Sequence, residues 1–292
     1  MKGRRSHVLA IIMLFGVFSR ADQIATFKVR TEEVRIDMLV TEHGIPVTDL
    51  QKADFEVFDN GVPQEIEFLG FRQTPIDAIL VVDMSASVAG EPLANLINAG
   101  HEFLRALRKD ERVALITFND IISLRSPLSN DVEHTHAALI QTNPIGDTSL
   151  IDACYAGLIL AESKSNRPLV LVFSDGLDTF SWLSGEKVLD VAKHSNAVVY
   201  SASVGRLPKH TFLGDLSKTT GGSLFDIEST RDLGAIFLKI LEEFRQRYLL
   251  TYVPAGVSKS GWHELKIRVK GRNAEIKARP GYLEASRSAI SE

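Results

Sequence analysis

Residues 78–90 read AILVVDMSASVAG. Five apolar residues in succession leave no polar alternation, which is the pattern of a strand covered on both faces, as in a parallel sheet. The run stops at Asp83, and hydroxyls follow at Ser85 and Ser87. An apolar strand that opens onto a carboxylate and two alcohols predicts a polar site at the carboxyl edge of such a sheet, where ligands of open α/β folds bind.

The same texture continues downstream. Residues 92–108 place Leu93, Leu96, Ile97, Phe103, Leu104 and Leu107 at helical spacing, with Pro92 suited to a first turn. Strands are predicted at 112–118, 121–124, 168–175 and 197–204 and over SLFDI, and helices at 149–163, 185–195 and 232–247. A short helix over 210–222 ends at Gly221. Alternation of strand and helix implies a mostly parallel sheet with helices on both faces. The apolar stripe Phe237, Leu238, Ile240, Leu241, Phe244 reads as core.

The flanks differ. Residues 34–40 alternate, and FEVFDNGVPQEIEFLGF reads as two alternating runs about Asp59-Asn60-Gly61, a hairpin signal because Asn-Gly tolerates positive φ. Phe55, Val57, Ile66 and Phe68 are expected on one inner face. After residue 248 the chain returns to strands, at 248–253, 263–270 and 273–282. Neither flank is large enough to bury a core alone. The expected fold class is therefore α/β, a doubly wound, mostly parallel sheet inserted into a β-sandwich-like domain built from both flanks. The expected divisions are 1–21, 22–75, 76–247, 248–285 and a tail over 286–292.

Residues 1–21 read as a secretory signal peptide. Lys2, Arg4 and Arg5 precede an eleven-residue run from Val8 to Phe18, with Ser19 and Ala21 placed for a cut before Asp22. A membrane-spanning helix needs about 20 apolar residues. The expected destination is the periplasm or the outside of the cell, with the membrane involved only through export. Cys154 is the single cysteine, so no internal disulfide forms, and its helical context predicts burial.

With 45% hydrophobic and 24% charged residues the chain has ample material for a core. A net charge of −4 gives no basis for nucleic-acid binding. Residues 76–247 hold 16 basic and 22 acidic side chains, and 248–292 hold 8 and 4, a contrast that supports a boundary near 248.

Two further segments point to the edge that bears Asp83. NPIGDTSLIDA places Thr148 before a helix, and LVLVFSDGLDT places Asp175 at a strand end. Asp83, Ser85, Ser87, Thr148 and Asp175 form an all-oxygen donor set, suited to Mg²⁺, with Mn²⁺ or Ca²⁺ as alternatives, and poorly to zinc or copper. Neutral hydroxyls would leave such a cation underneutralised and open to an incoming carboxylate.

Asp83-Met84-Ser85-Ala86-Ser87, Thr148 within Gly146-Asp147-Thr148-Ser149-Leu150, and Asp175 within Ser174-Asp175-Gly176 resemble the three loops of the metal-ion-dependent adhesion site (MIDAS) of von Willebrand factor type A domains. The resemblance covers about residues 76–247. The flanks are similar to those of exported bacterial, notably acidobacterial, von Willebrand factor A-related domain proteins. The resemblance implies that the hydroxyls bind the metal directly, that the aspartates act largely through water, and that a protein partner offers an Asp or Glu. Asp147 departs from the pattern, which often has Gly there.

Plainer readings stand beside these. Ser85 and Ser87 can simply form a turn, Thr148 can cap the following helix, and Asp175-Gly176 can be a turn. An Mg²⁺-dependent phosphatase would use Asp83 as nucleophile, with Asp175 and Asp178 on the metal, but Ser85 stands where that chemistry needs a second Asp. Ser184 and Lys187 have Ser-x-x-Lys spacing without companion motifs, so Ser184 reads as a helix cap. His134 and His136, two apart, do not share a helix face and make poor zinc ligands. Phe180 and Trp182 are expected either to rim the binding face or to pack against the neighbouring helix. The leading expectation is a non-enzymatic, exported adhesion protein. The alternative is a β-sandwich and A-domain scaffold without metal-dependent binding.

Overall fold

The structure is a computed structural model that describes residues 33–162, 166–175, 178–204 and 212–284. The expected leader over 1–21 and tail over 286–292 lie outside the described residues. The chain enters through β1 (Val34–Glu42), β2 (Ile45–Pro46), β3 (Phe55–Asp59), β4 (Val62–Gln64) and β5 (Ile66–Phe71). The central part runs β6 (Ile76–Asp83), α1 (Glu91–Ala106), β7 (Arg112–Phe118), β8 (Ile122–Ser129), α2 (Val132–Ile140), α3 (Leu150–Leu160), β9 (Arg167–Ser174), α4 (Gly185–His194), β10 (Val198–Val204), α5 (Phe212–Thr220), β11 (Leu224–Ile227) and α6 (Leu233–Arg245). It closes with β12 (Tyr248–Tyr252), β13 (Gly261–Val269), β14 (Glu275–Lys277) and β15 (Gly281–Glu284).

The central sheet has the order β11-β10-β9-β6-β7-β8, parallel throughout except for β8, which runs antiparallel beside β7. Every residue of β6 and β9 is buried, as strands covered on both sides must be. On one face the sheet packs against α1, α2 and α6, through Leu96, Phe103, Leu139, Phe237 and Phe244 among others. On the other it packs against α3, α4 and α5, through Leu150, Leu158, Val188 and Leu216. The expected α6 stripe is core except at Leu238, which is exposed.

The flanks form two further sheets, each drawing strands from both ends of the chain. One has the order β14-β1-β12-β5, with β2 beside β1, and the other β15-β13-β3-β4. Val34, Ile36, Phe55, Val57, Ile66, Tyr248, Leu250 and Tyr282 join in one apolar cluster between them.

Three expectations for the flanks need correction. The run after Gly61 does not form one strand: β4 pairs with β3, whereas β5 pairs with β12 in the other sheet. Residues 273–282 divide in the same way, with β14 beside β1 and β15 beside β13 on either side of Pro280, whose missing N–H cannot continue a ladder. Phe68 is 41% exposed. Ile66 pairs with Tyr252 and Phe68 with Thr251, so Glu67 is an extra residue, and the bulge reverses the side-chain phase beyond it. Leu69 and Phe71 point to the core instead. The Asn60-Gly61 turn is as expected, with φ of 47° and 80°. Asp59 is not part of it: fully buried, it accepts hydrogen bonds from Tyr252 (2.7 Å) and Tyr282 (2.8 Å) and pairs with His263 Nδ1 (2.7 Å).

The flanking sheets meet the central sheet at its amino-terminal edge. Arg167, first in β9, donates from Nε to Asp37 Oδ1 of β1 at 2.7 Å and from Nη2 to Phe244 O at 3.1 Å. Its guanidinium lies 4.7 Å from the Phe244 ring centroid. Arg247, just after α6, donates to Asp37 O and Gly221 O, each at 2.8 Å, and to the Tyr200 hydroxyl at 3.0 Å. Both arginines are buried. Among the described residues no hydrogen bond or ion pair ties the flanks to the carboxyl edge, where Asp83 ends β6.

Removing one partner of a buried ion pair strands the other. Asp37→Ala is expected to cost about 3–5 kcal/mol in urea denaturation, and the pair Asp37→Leu with Arg167→Met to cost less than Asp37→Ala alone.

Candidate metal centre

Asp83 is fully buried at the tip of β6. Its Oδ1 accepts from the Ser85 backbone N–H at 2.8 Å, and its Oδ2 from Ser174 Oγ at 2.7 Å. Ser85 Oγ lies 2.9 Å from Ser87 Oγ, and Ser87 Oγ donates to Asp175 Oδ1 at 2.9 Å. A line of oxygens thus rises from the buried Asp83, through buried Ser85 and exposed Ser87, to half-buried Asp175. The short turn Ala86–Val88 creates it by turning Ser87 back over Ser85.

Thr148 joins this group through its backbone. Ile145 N–H donates to Met84 O (2.9 Å) and Ala86 N–H to Gly146 O (3.1 Å), laying the second loop on the first. Gly146 has φ of 81°, and a β-carbon there would stand 2.4 Å from Asp120 Oδ1. Thr148 O accepts from the N–H groups of Thr179 and Phe180, and its own N–H donates to Thr179 Oγ1, tying the second loop to the third. The Thr148 hydroxyl has no hydrogen-bond partner among the described residues, and the residue is buried. Ser85, Ser87 and Asp175 are therefore linked side chain to side chain, Asp83 joins them through the Ser85 backbone N–H, and Thr148 is brought alongside without joining that chain.

Burial pushes the Asp83 carboxyl above the usual carboxylate range, and the nearby Asp175 charge adds to this; the hydrogen bonds from Ser174 and Ser85 work against it. Among the described residues no group of three or more His, Cys, Asp or Glu could hold a metal. The cluster is two carboxylates and three hydroxyls, with neither imidazole nor thiolate, which is the chemistry of a hard-cation site. The residues fit such an ion.

Helix capping falls to other groups than expected. The N-cap of α3 is Ser149, not Thr148, and the free N–H of Ile151 is taken by Asp178 Oδ1 at 3.1 Å. Asp178 Oδ1 also accepts from Ser181 Oγ, so that oxygen serves the helix start. Ser184 caps α4 as expected, accepting from Lys187 N–H at 3.4 Å. His136 packs against His101 of α1, with ring centroids 4.4 Å apart. Burial pushes the Cys154 thiol far up, away from nucleophilic chemistry. Phe180 and Trp182 are exposed.

Ser174 and Asp152 were not among the expected site residues, and Asp178 entered only as a metal residue of the phosphatase reading. For Ser174 a signal existed: Val82 and Phe173 are register partners, so Asp83 and Ser174 end adjacent strands together. Asp152, whose two oxygens accept from Trp182 and Leu183 N–H, gave none.

The family model for the von Willebrand factor type A domain matches residues 78–177. No curated protein matches the chain. Among solved structures, a von Willebrand factor type A protein from Catenulispora acidiphila is similar over 88% of this chain and 74% of its own, at 7% identity and TM-score 0.54. Proximal thread matrix protein 1 from the mussel byssus, solved with a zinc-occupied MIDAS motif, is similar over 65% of this chain at 16% identity and TM-score 0.53. This chain spans about half of that protein, 50%. An aerotolerance-related membrane protein from Bacteroides fragilis is covered over 99% of its length, with 59% of this chain, at 12% identity and TM-score 0.50. Likeness at these identities is likeness of fold. Among the described residues no helix is long and apolar enough to cross a membrane.

Asp178→Ala removes a cap from α3 and is expected to lower stability by about 0.5–2 kcal/mol in chemical denaturation. Cys154 is expected to ignore a thiol reagent in the folded protein and to react fully in denaturant.

Proposed function

We propose that the chain is a non-enzymatic binding protein that holds a divalent cation at this sheet edge and, through it, an acidic side chain of a protein partner. The observation that carries the reading is the hydrogen-bonded run from Asp83, held by the Ser85 backbone N–H, through Ser85 Oγ and Ser87 Oγ to Asp175. Ser85, Ser87 and Thr148 are read as direct ligands, and Asp83 and Asp175 as charge acting largely through water. The hard donor set favours Mg²⁺, with Mn²⁺ and Ca²⁺ next. The zinc-occupied motif of the mussel protein adds zinc to the ions worth testing.

Electrostatics support the assignment. Burial disfavours the charge of Asp83, and the neighbouring Asp175 carboxylate disfavours it further. A cation reverses both penalties. When bound, it supplies a positive centre with a coordination position open to an outside carboxylate.

The reading extends to the whole chain. Residues 76–247 are taken as an α/β domain inserted between flanks 22–75 and 248–285, which together make one β-sandwich domain. Residues 1–21 are taken as a leader that directs export to the periplasm or beyond. Docking of the flanks at the opposite edge, through Arg167 and Arg247, supports this division by keeping the binding edge free.

The test is a melting curve in EDTA and with added Mg²⁺, Mn²⁺, Ca²⁺ or Zn²⁺. At a hundredfold excess over Kd, binding adds about 2.7 kcal/mol, which for a domain of this size is a rise of roughly 5–10 °C in Tm. Asp83→Asn is expected to keep the fold and lose the rise. A flat response of the unaltered protein to all four ions would leave the scaffold reading in its place. No turnover of a generic phosphate ester is expected with Mg²⁺.

A further inference from the structure

The surface around the oxygen cluster is apolar and acidic at once. Trp182 is 91% exposed and Phe180 47%, both in the loop that follows β9. They are not held loosely. Phe180 N–H donates to Thr148 O, and Asp152 Nα to Ser181 Oγ. Trp182 and Leu183 N–H each donate to the Asp152 carboxylate at 2.9 Å. Asp178 and Thr179 are bonded to the α3 start as well, so every residue from 178 to 183 is tied to that end of the helix. An exposed indole on a braced backbone leaves only its own rotamers to be ordered on binding, which favours a binding anchor.

On the other side of β6 stand the β7–β8 turn and the second loop. Ile121 is 66% exposed and Ile145 61%. Asn119 fixes them, donating from its side chain to Ile145 O and accepting from Ile121 N–H, both at 2.8 Å. Between these lie Asp120 and Asp147, both exposed and without an ion-pair partner among the described residues. Residues 84–90, 119–121, 141–149 and 178–184 contain no Lys, Arg or His. The basic side chain of the β11–α6 loop at the same edge, Arg231, is paired with Glu91 at 2.8 Å, so Asp120 and Asp147 would meet a partner bearing only an acid without compensation.

We infer that this edge recognises a polar-ordered segment of a partner protein: a central carboxylate, an aromatic or large aliphatic side chain set against Trp182 and Phe180, and a basic side chain set against Asp120 and Asp147. The inference rests on the cation-bridged reading above and adds what surrounds the acid. Strand order supplies the direction, since the β9 loop and the β7–β8 turn lie on opposite sides of β6.

The experiment is selection of a displayed library of random linear peptides on the immobilised full-length protein in Mg²⁺. The unaltered protein is expected to enrich Asp or Glu flanked by an apolar residue on one side and Lys or Arg on the other, in one fixed order. Trp182→Ser, which should melt like the unaltered protein, is expected to lose the apolar preference and keep the acid. It should also weaken a synthetic enriched peptide at least tenfold. Asp120→Asn with Asp147→Asn is expected to lose only the basic preference, and EDTA or Asp83→Asn the acid. Enrichment of acids without flanking preferences would overturn this inference and leave the cation reading intact. Peptides that need neither acid nor Mg²⁺, or no enrichment at all, would overturn both.

Discussion

A carboxylate with no exposed surface, Asp83, sits at the end of a strand whose every other residue is also buried. Much of the local architecture follows from this arrangement. Taking a charge out of water costs free energy unless hydrogen bonds or an opposite charge replace the lost solvation. Ser174 Oγ and the Ser85 N–H answer the two oxygens, and that second bond holds the turn that brings Ser87 over Ser85. The hydroxyls next to Asp83 are thus partly its solvation shell, and the same placement makes them available to an ion.

The two edges of the central sheet divide the work. The amino-terminal edge carries buried ion pairs and arginine contacts to backbone carbonyls, which fix the flanking sheets to it. The carboxyl edge is assembled from three loops that bond mainly to one another. Met84 to Ile145, Ala86 to Gly146 and Thr148 to Thr179 are backbone contacts, independent of the side chains that give the edge its chemistry. A frame of this kind tolerates change in the side chains at its rim, which is where affinity for one partner over another is set.

The parallel sheet was readable because burial on both faces leaves unbroken apolar runs, and the hairpin because Asn60-Gly61 accepts positive φ. The placement of Asp83 and Asp175 at the sheet edge was readable because strand ends are marked by the change from apolar to polar. The departures occurred where chain-local pattern carries no information about the partner. Alternation in 62–71 could not report that β4 and β5 belong to different sheets, nor that an extra residue at Glu67 turns Phe68 outward. Asp59 read as a turn residue because its three partners, Tyr252, His263 and Tyr282, lie about two hundred residues away. The bonds of Asp152 and Asp178 run to backbone N–H groups near thirty residues distant, which no local pattern reports.

The sequence by itself determined the class of the central sheet and the run of its elements apart from α2, since periodicity and strand ends are local properties of the chain. Only the tertiary structure decided which carboxylates stay free. Both oxygens of Asp59 and Oδ1 of Asp178 are taken up by hydrogen bonds within the protein, whereas Asp120 and Asp147 face solvent. The physical reason is that a carboxylate's role depends on the donors around it, and those donors come from segments that only folding brings together.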